Sequence, residues 1–87
     1  MSSLHLIARG KINQRATLLL MRKIEELKIV PIEQLNAGEF EEKAGVYKII
    51  WTISDHTPYL GTKQLQCRVV YEPGAVTVVE SIFYRSE

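Results

Sequence analysis

The stretch GVYKIIWTISDHTPYLGTKQLQCRVVYEPGAVTVVESIFYR, residues 45–85, decides the fold. It holds three apolar runs, at 46–53, 65–71 and 76–84, separated by Asp55-His56-Thr57-Pro58 and by Glu72-Pro73-Gly74. Turn-forming clusters between short β-branched and aromatic runs predict a three-stranded antiparallel meander. In the first run Tyr47, Ile49, Trp51 and Ile53 alternate with Val46, Lys48, Ile50 and Thr52; in the second, Leu65, Cys67, Val69 and Tyr71 alternate with Gln66, Arg68, Val70 and Glu72. Strand side chains point to opposite faces in turn, so one face of this sheet is apolar and the other mixed, with Lys48 and Arg68 projecting from the mixed one. The third run is apolar on both faces at Val76, Val78 and Val79, which predicts a central rather than an edge position.

Toward the N-terminus, the short apolar run Leu4-His5-Leu6-Ile7-Ala8 between Ser3 and Gly10 reads as a first strand. Asn13 caps a predicted helix through Leu27, with Leu20, Ile24 and Leu27 on one stripe, Thr17 extending it and Ala16 beside it. Arg22, Lys23, Glu25 and Glu26 are assigned to the outer arc, and Leu18, Leu19 and Met21 widen the apolar face toward either the following segment or a second chain. The clash of Pro31 with Val30 ends this helix near Lys28, and Pro31 opens a second, short helix over 31–36 that Gly38 closes. Residues 39–43 are expected to be a solvated connection anchored by Phe40.

The whole is therefore expected to be one α+β domain over residues 1–87: a short N-terminal strand, one long and one short helix, and the three-stranded meander packed on the helices. At 46% hydrophobic and 24% charged, the chain has the apolar surface to fold, and a formal net charge of +1 gives no global signature of nucleic-acid binding. The lone Cys67 excludes an intrachain disulfide and reads as a buried thiol in a reducing compartment. No apolar run approaches the roughly 18 residues of a membrane span, and a cytoplasmic location without membrane contact is expected.

No glycine-rich phosphate loop, metal-ligand spacing or Ser/His/Asp arrangement stands out, so no cofactor and no metal are expected. Glu41 and Glu42, adjacent in a connection, have no fixed relation to one substrate bond. His56 is read either as a base or as a structural turn residue. What remains is a group of polar side chains from the sheet: Lys48, Arg68, Tyr84 and Arg85, with Tyr71 near in sequence. Arginine suits phosphate through its planar fork, and tyrosine stacks on a base or moves a proton; the same residues also suit an ordinary solvated sheet face.

The element order resembles that of the RelE/ParE superfamily of bacterial toxins. Gly45-Val46-Tyr47-Lys48-Ile49 resembles the start of that family's second strand, Arg68-Val69-Val70-Tyr71-Glu72 its Arg-hydrophobic-hydrophobic-Tyr third strand, and the run 76–85 its apolar last strand, which closes with a basic or aromatic pair. The resemblance implies a ribonuclease toxin that cleaves ribosome-bound mRNA by attack of the 2′-hydroxyl on the adjacent phosphate. Arg68, Tyr84 and Arg85 would then be catalytic, with Lys48 and Tyr71 binding RNA. The implied partners are an antitoxin-like protein and the ribosome with its mRNA; another protein partner, or a second copy in a homodimer, is the expectation that the wide helix face carries. The sequence departs from the family in carrying Ile50 and Thr52 after the single Lys48, and in a longer connection at 55–61. The rival reading is a non-catalytic protein-interaction module, or a phage or plasmid regulator, that uses the helix face and the sheet. Convergence of Arg68, Tyr84 and Arg85 on one concave surface separates the two, and which of Tyr84 and Arg85 joins Arg68 depends on strand register.

Overall fold

The computed structural model describes residues 5–8, 13–56 and 59–86 of the 87, with the backbone alone at 5–8 and 13. The expected strand start at Leu4, the turn residues Thr57 and Pro58, and the side chains of His5 and Asn13 lie outside the described residues. The chain is α+β. The elements are β1 (His5–Ala8), α1 (Asn13–Ile29), a 3-10 turn (Ile32–Gln34), β2 (Gly38–Ala44), β3 (Tyr47–Asp55), β4 (Thr62–Tyr71) and β5 (Val76–Ser86).

Residues 14–27 of α1 are dominated by Leu, Met, Ala, Lys, Arg and Glu, which lose little side-chain freedom in a helix. Its buried positions are Ala16, Leu20, Lys23, Ile24 and Leu27, a stripe of helical period that lies on the sheet. Ala16 rather than Thr17 carries the stripe forward. Lys23, assigned to the outer arc because it is charged, is only 7% exposed. Its stem lies along the packed face while its amine reaches the edge, over the ring of Trp51 at 4.2 Å and beside Glu26 at 2.8 Å. Leu18 and Met21 lie outside this contact and are exposed.

The sheet runs in the order β1-β5-β4-β3-β2, every neighbouring pair antiparallel. It is larger than the expected three-stranded meander because residues 39–43, expected as a solvated connection, lie within β2. Glu and Lys are poor strand formers, but a strand paired on one side only needs little from its own side chains once a hairpin holds it. That hairpin is the two-residue turn Gly45-Val46, with Gly45 at φ +66, the left-handed value that the first position of a type II′ turn demands. Phe40 does anchor the segment, its ring stacked on Trp51 with centroids 5.9 Å apart.

The expected second helix is a single 3-10 turn. Gln34 N–H donates to the Pro31 carbonyl and Leu35 N–H to that of Ile32, after which Leu35 turns extended (φ −88°, ψ 92°) and is buried in the core. Gly38 opens β2 instead of closing a helix.

One face of the sheet is the core. Tyr47, Ile49 and Ile53 of β3, Leu65, Cys67 and Val69 of β4, and Val79 and Phe83 of β5 are buried with the α1 stripe, and Trp51 and Tyr71 pack at the margin. A bulge between Val69 and Val70 sets Val70 opposite Thr77 and leaves Val78 as the extra residue in β5, buried like Val79. The apolar run at 76–79 therefore does not coat both faces, and Val76 is exposed. Helix α1 covers β5 and β4 and reaches β3 at its edge, with β2 outside its main footprint. Among the described residues no helix is long and apolar enough to cross a membrane.

Candidate functional site: the uncovered sheet face

The sheet has two faces and α1 packs on one. Residues of the other follow from register: Glu39, Glu41 and Lys43 on β2 lie opposite Thr52, Ile50 and Lys48 on β3. Ile50 and Lys48 in turn lie opposite Arg68 and Val70 on β4, and Arg68 lies opposite Glu80 on β5. Arg68 thus sits on the central strand of a five-stranded sheet, between Ile50 on one side and Glu80 on the other.

Two open hollows mark this face. One is lined by Glu39, Ile50, Thr52, Gln66 and Arg68, the other by Lys48, Ile50, Arg68, Val70, Glu72, Ala75 and Thr77. Ile50 and Arg68 are common to both. Arg68 is half-buried and makes no ion pair among the described residues, although Glu80 is its register partner. Lys48 is near Glu41 at 3.7 Å, and Lys43 near Glu72 at 3.7 Å.

The five residues singled out in the sequence divide between the two faces. Lys48, Arg68 and Tyr84 share the uncovered one. Tyr84 lies opposite Gln64, four residues from Arg68 along β4, or ~13 Å at about 3.3 Å per residue. Arg85 is on the helix side, where its Nη1 donates to the carbonyl oxygen of Leu27 at 2.8 Å and also to that of Val30. Tyr71 is on the helix side as well, its ring tilted against Tyr47 at 5.8 Å. Arg68, Tyr84 and Arg85 therefore do not converge on one surface. The register that sequence left open gives the uncovered face to Tyr84 and the helix side to Arg85.

Other chemically capable groups have structural occupations. His56, at φ 55°, accepts the Gly61 N–H on Nδ1 at 3.2 Å and helps close the β3–β4 connection. Burial pushes the Cys67 thiol up to about 12, with the Lys23 charge pulling the other way. That thiol is protonated and inert at neutral pH. Among the described residues no group of three His, Cys, Asp or Glu side chains is placed to hold a metal ion.

Sequence reasoning missed Glu39 and Glu41 as members of the uncovered face. The available signal was the spacing of Ala44-Gly45-Val46-Tyr47, a two-residue hairpin turn that continues the alternation backward from Lys48. Comparisons with protein-family models, with curated proteins and with solved structures each gave no match.

Proposed function

We propose that this chain is a protein-binding module whose uncovered sheet face docks an acidic, partly apolar segment of a protein partner, with Arg68 as the anchor. The observation that carries this reading is the state of Arg68: half-buried between Ile50, Val70 and Gln66, shared by both hollows, and without an ion pair among the described residues. A guanidinium partly removed from water and in contact with no carboxylate is a ready site for one, which it binds through two parallel hydrogen bonds. The apolar surface of Ile50 and Val70 beside it supplies the dry surround that makes such a pair effective in an interface.

The charge balance favours a protein over a polynucleotide. Lys43, Lys48 and Arg68 share the face with Glu39, Glu41, Glu72 and Glu80, so the basic charges are outnumbered. RNA binding draws most of its affinity from several phosphates held together on a basic surface. The ribonuclease reading also asks Arg85 to leave the end of α1, where it is engaged by two carbonyl groups.

The test is a pair of NMR titrations of the full chain, one with a short peptide containing Asp, Glu and Leu, the other with a single-stranded oligoribonucleotide of similar length. The module reading expects the peptide to shift the Arg68 side chain and the Ile50 and Val70 methyl groups, Arg68→Ala to abolish those shifts, and the RNA to leave them in place. Message cleavage on expression of the parent in a bacterial host, absent with Arg68→Ala, would overturn it in favour of the nuclease.

A further inference from the structure

Among the described residues the outer edge of β2 pairs with no other strand. Glu72 N–H donates to the Val46 carbonyl, so that carbonyl points toward β4. A trans peptide directs its C=O and its N–H oppositely, so Tyr47 N–H points the other way, toward β2. Ala44, its register partner, therefore faces β3, as do Glu42, Phe40 and Gly38 by alternation. Glu39, Glu41 and Lys43 turn their backbone N–H and C=O groups outward, away from the sheet. The strand runs the seven residues Gly38–Ala44 without a proline and without a shift of register. Of the devices by which edge strands commonly avoid pairing, short length, bulges and proline are missing here, and what remains is the charge on Glu39, Glu41, Glu42 and Lys43.

We infer that β2 pairs with β2 of a second copy of this chain, antiparallel about a two-fold axis centred on Glu41, joining two sheets into one. Centring there aligns all seven residues with their mates and sets outward-facing residues only against outward-facing ones. Glu39 then lies opposite Lys43 of the second copy, and Lys43 opposite its Glu39, giving two cross-strand ion pairs on the uncovered face. Glu41 faces itself across the axis, and each Glu41 has Lys48 beside it at 3.7 Å to balance the charge. Per copy, that row holds Glu39, Glu41, Lys43 and Lys48 and is neutral. On the helix side Phe40, 38% exposed on its stack with Trp51, gains cover from Glu42 of the second copy.

Neighbouring registers pair fewer residues or set like charges against each other on more positions. Centring on Phe40 sets Glu39 against Glu41 twice, and centring on Lys43 sets that residue against itself. Centring on Glu42 also sets Glu41 against Lys43 twice, but it sets Glu42 against itself on the helix side, runs Glu39 against the turn at Gly45 and pairs only residues 40–44 of the strand. A seven-residue strand with one aromatic cover is a modest interface, so the association is concentration-dependent and is weakened by salt.

Sedimentation velocity of the full chain over a concentration series tests this. The expected result is a monomer–dimer equilibrium. Lys43→Glu and Glu39→Lys each weaken it at least about tenfold, because two attractive pairs become repulsive, and the double variant Glu39→Lys/Lys43→Glu recovers it. Glu41→Pro tests the backbone: its lost N–H points outward, so β2–β3 pairing is kept and dimerisation is lost. Circular dichroism checks that each variant is folded, and amide exchange of the parent should slow at Glu39, Glu41 and Lys43 as concentration rises. A monomer at every concentration would overturn the inference, as would a dimer indifferent to Glu41→Pro or a double variant that fails to recover.

Discussion

Arg85 Nη1 donates to the carbonyl oxygen of Leu27 at 2.8 Å, linking the last strand to the last turn of the helix. The final carbonyls of a helix have no partner within it and carry the negative end of its dipole, so a cation with planar donors satisfies both needs at once. Arg85→Ala should destabilise the fold by about 1.5–3 kcal/mol, the range for a hydrogen bond to a charged group, measured as a lowered urea midpoint at constant slope. Arg85→Lys should recover part of that loss. Unchanged stability in Arg85→Ala would mean that the helix end is served without it.

Lys23 over Trp51 gives a second test. The amine lies 4.2 Å from the ring centroid and contacts Glu26 and Glu42 as well, at the border where α1 ends its cover and β2 begins. Lys23→Ala removes both a cation and the stem that packs on the sheet, and should cost about 1–2 kcal/mol with a shift in Trp51 fluorescence. Lys23→Met keeps the packing and loses the charge, and should fall between Lys23→Ala and the parent. An emission spectrum unmoved by either variant would sever the link between Lys23 and the ring.

The helix stripe and the alternating core faces of β3 and β4 were legible because burial there follows charge and polarity simply. Leu20, Ile24, Ile49, Cys67 and Val69 are all buried. Lys23, Arg85 and β2 were not legible, each for a physical reason. A long cationic side chain can lie in a stripe and still wet its amine, so its letter does not report its burial. Arg85 was assigned by analogy to a reactive pair, whereas its occupation is set by a helix end 58 residues earlier. Segment 38–44 carries Glu and Lys in a strand that tertiary pairing imposes.

Cys67 connects stability to alkaline pH. In the unfolded chain the thiol ionises near its ordinary 9.0, while in the folded chain burial raises it to about 12. Between these values the unfolded state holds fewer protons, so stability falls as pH rises, by about 1.4 kcal/mol per pH unit for a fully buried thiol. Below 9.0 the effect is absent. Cys67→Ala should lack this slope, and the difference between the two chains in urea unfolding from pH 9 to pH 11 isolates it from the titration of lysine and tyrosine. Native Cys67 should also resist alkylation at neutral pH. Parallel pH curves for the two chains would refute the assignment.

Ser81 is buried, and its Oγ has no hydrogen-bond partner among the described residues. It lies directly across from Cys67 in the β4–β5 ladder. Removing an unsatisfied hydroxyl relieves a desolvation cost, so Ser81→Ala should be neutral or stabilising by about 1 kcal/mol, against the usual direction of core substitutions. Thermal melting is sufficient to decide, and a clear loss of stability would point to a partner for Oγ.

The bulge at Val69/Val70 acts on β5 as a single inserted base acts on a reading frame. With Tyr71 opposite Val76 at the turn, an unbroken ladder would carry Val79 to Arg68, Phe83 to Gln64 and Tyr84 to Lys63. The extra residue moves every later partner by one, so Glu80 meets Arg68, Phe83 meets Leu65 and Arg85 meets Lys63. Because strand side chains alternate, that one position exchanges the duties of Tyr84 and Arg85, sending the first to the uncovered face and the second to the end of α1. Deletion of Val78 would therefore close the bulge and keep the phase, with Val79 still opposite Val69, Phe83 still on the core face and Arg85 still at the end of α1, whereas one further residue inserted beside it would exchange the two faces of the strand from 79 onward.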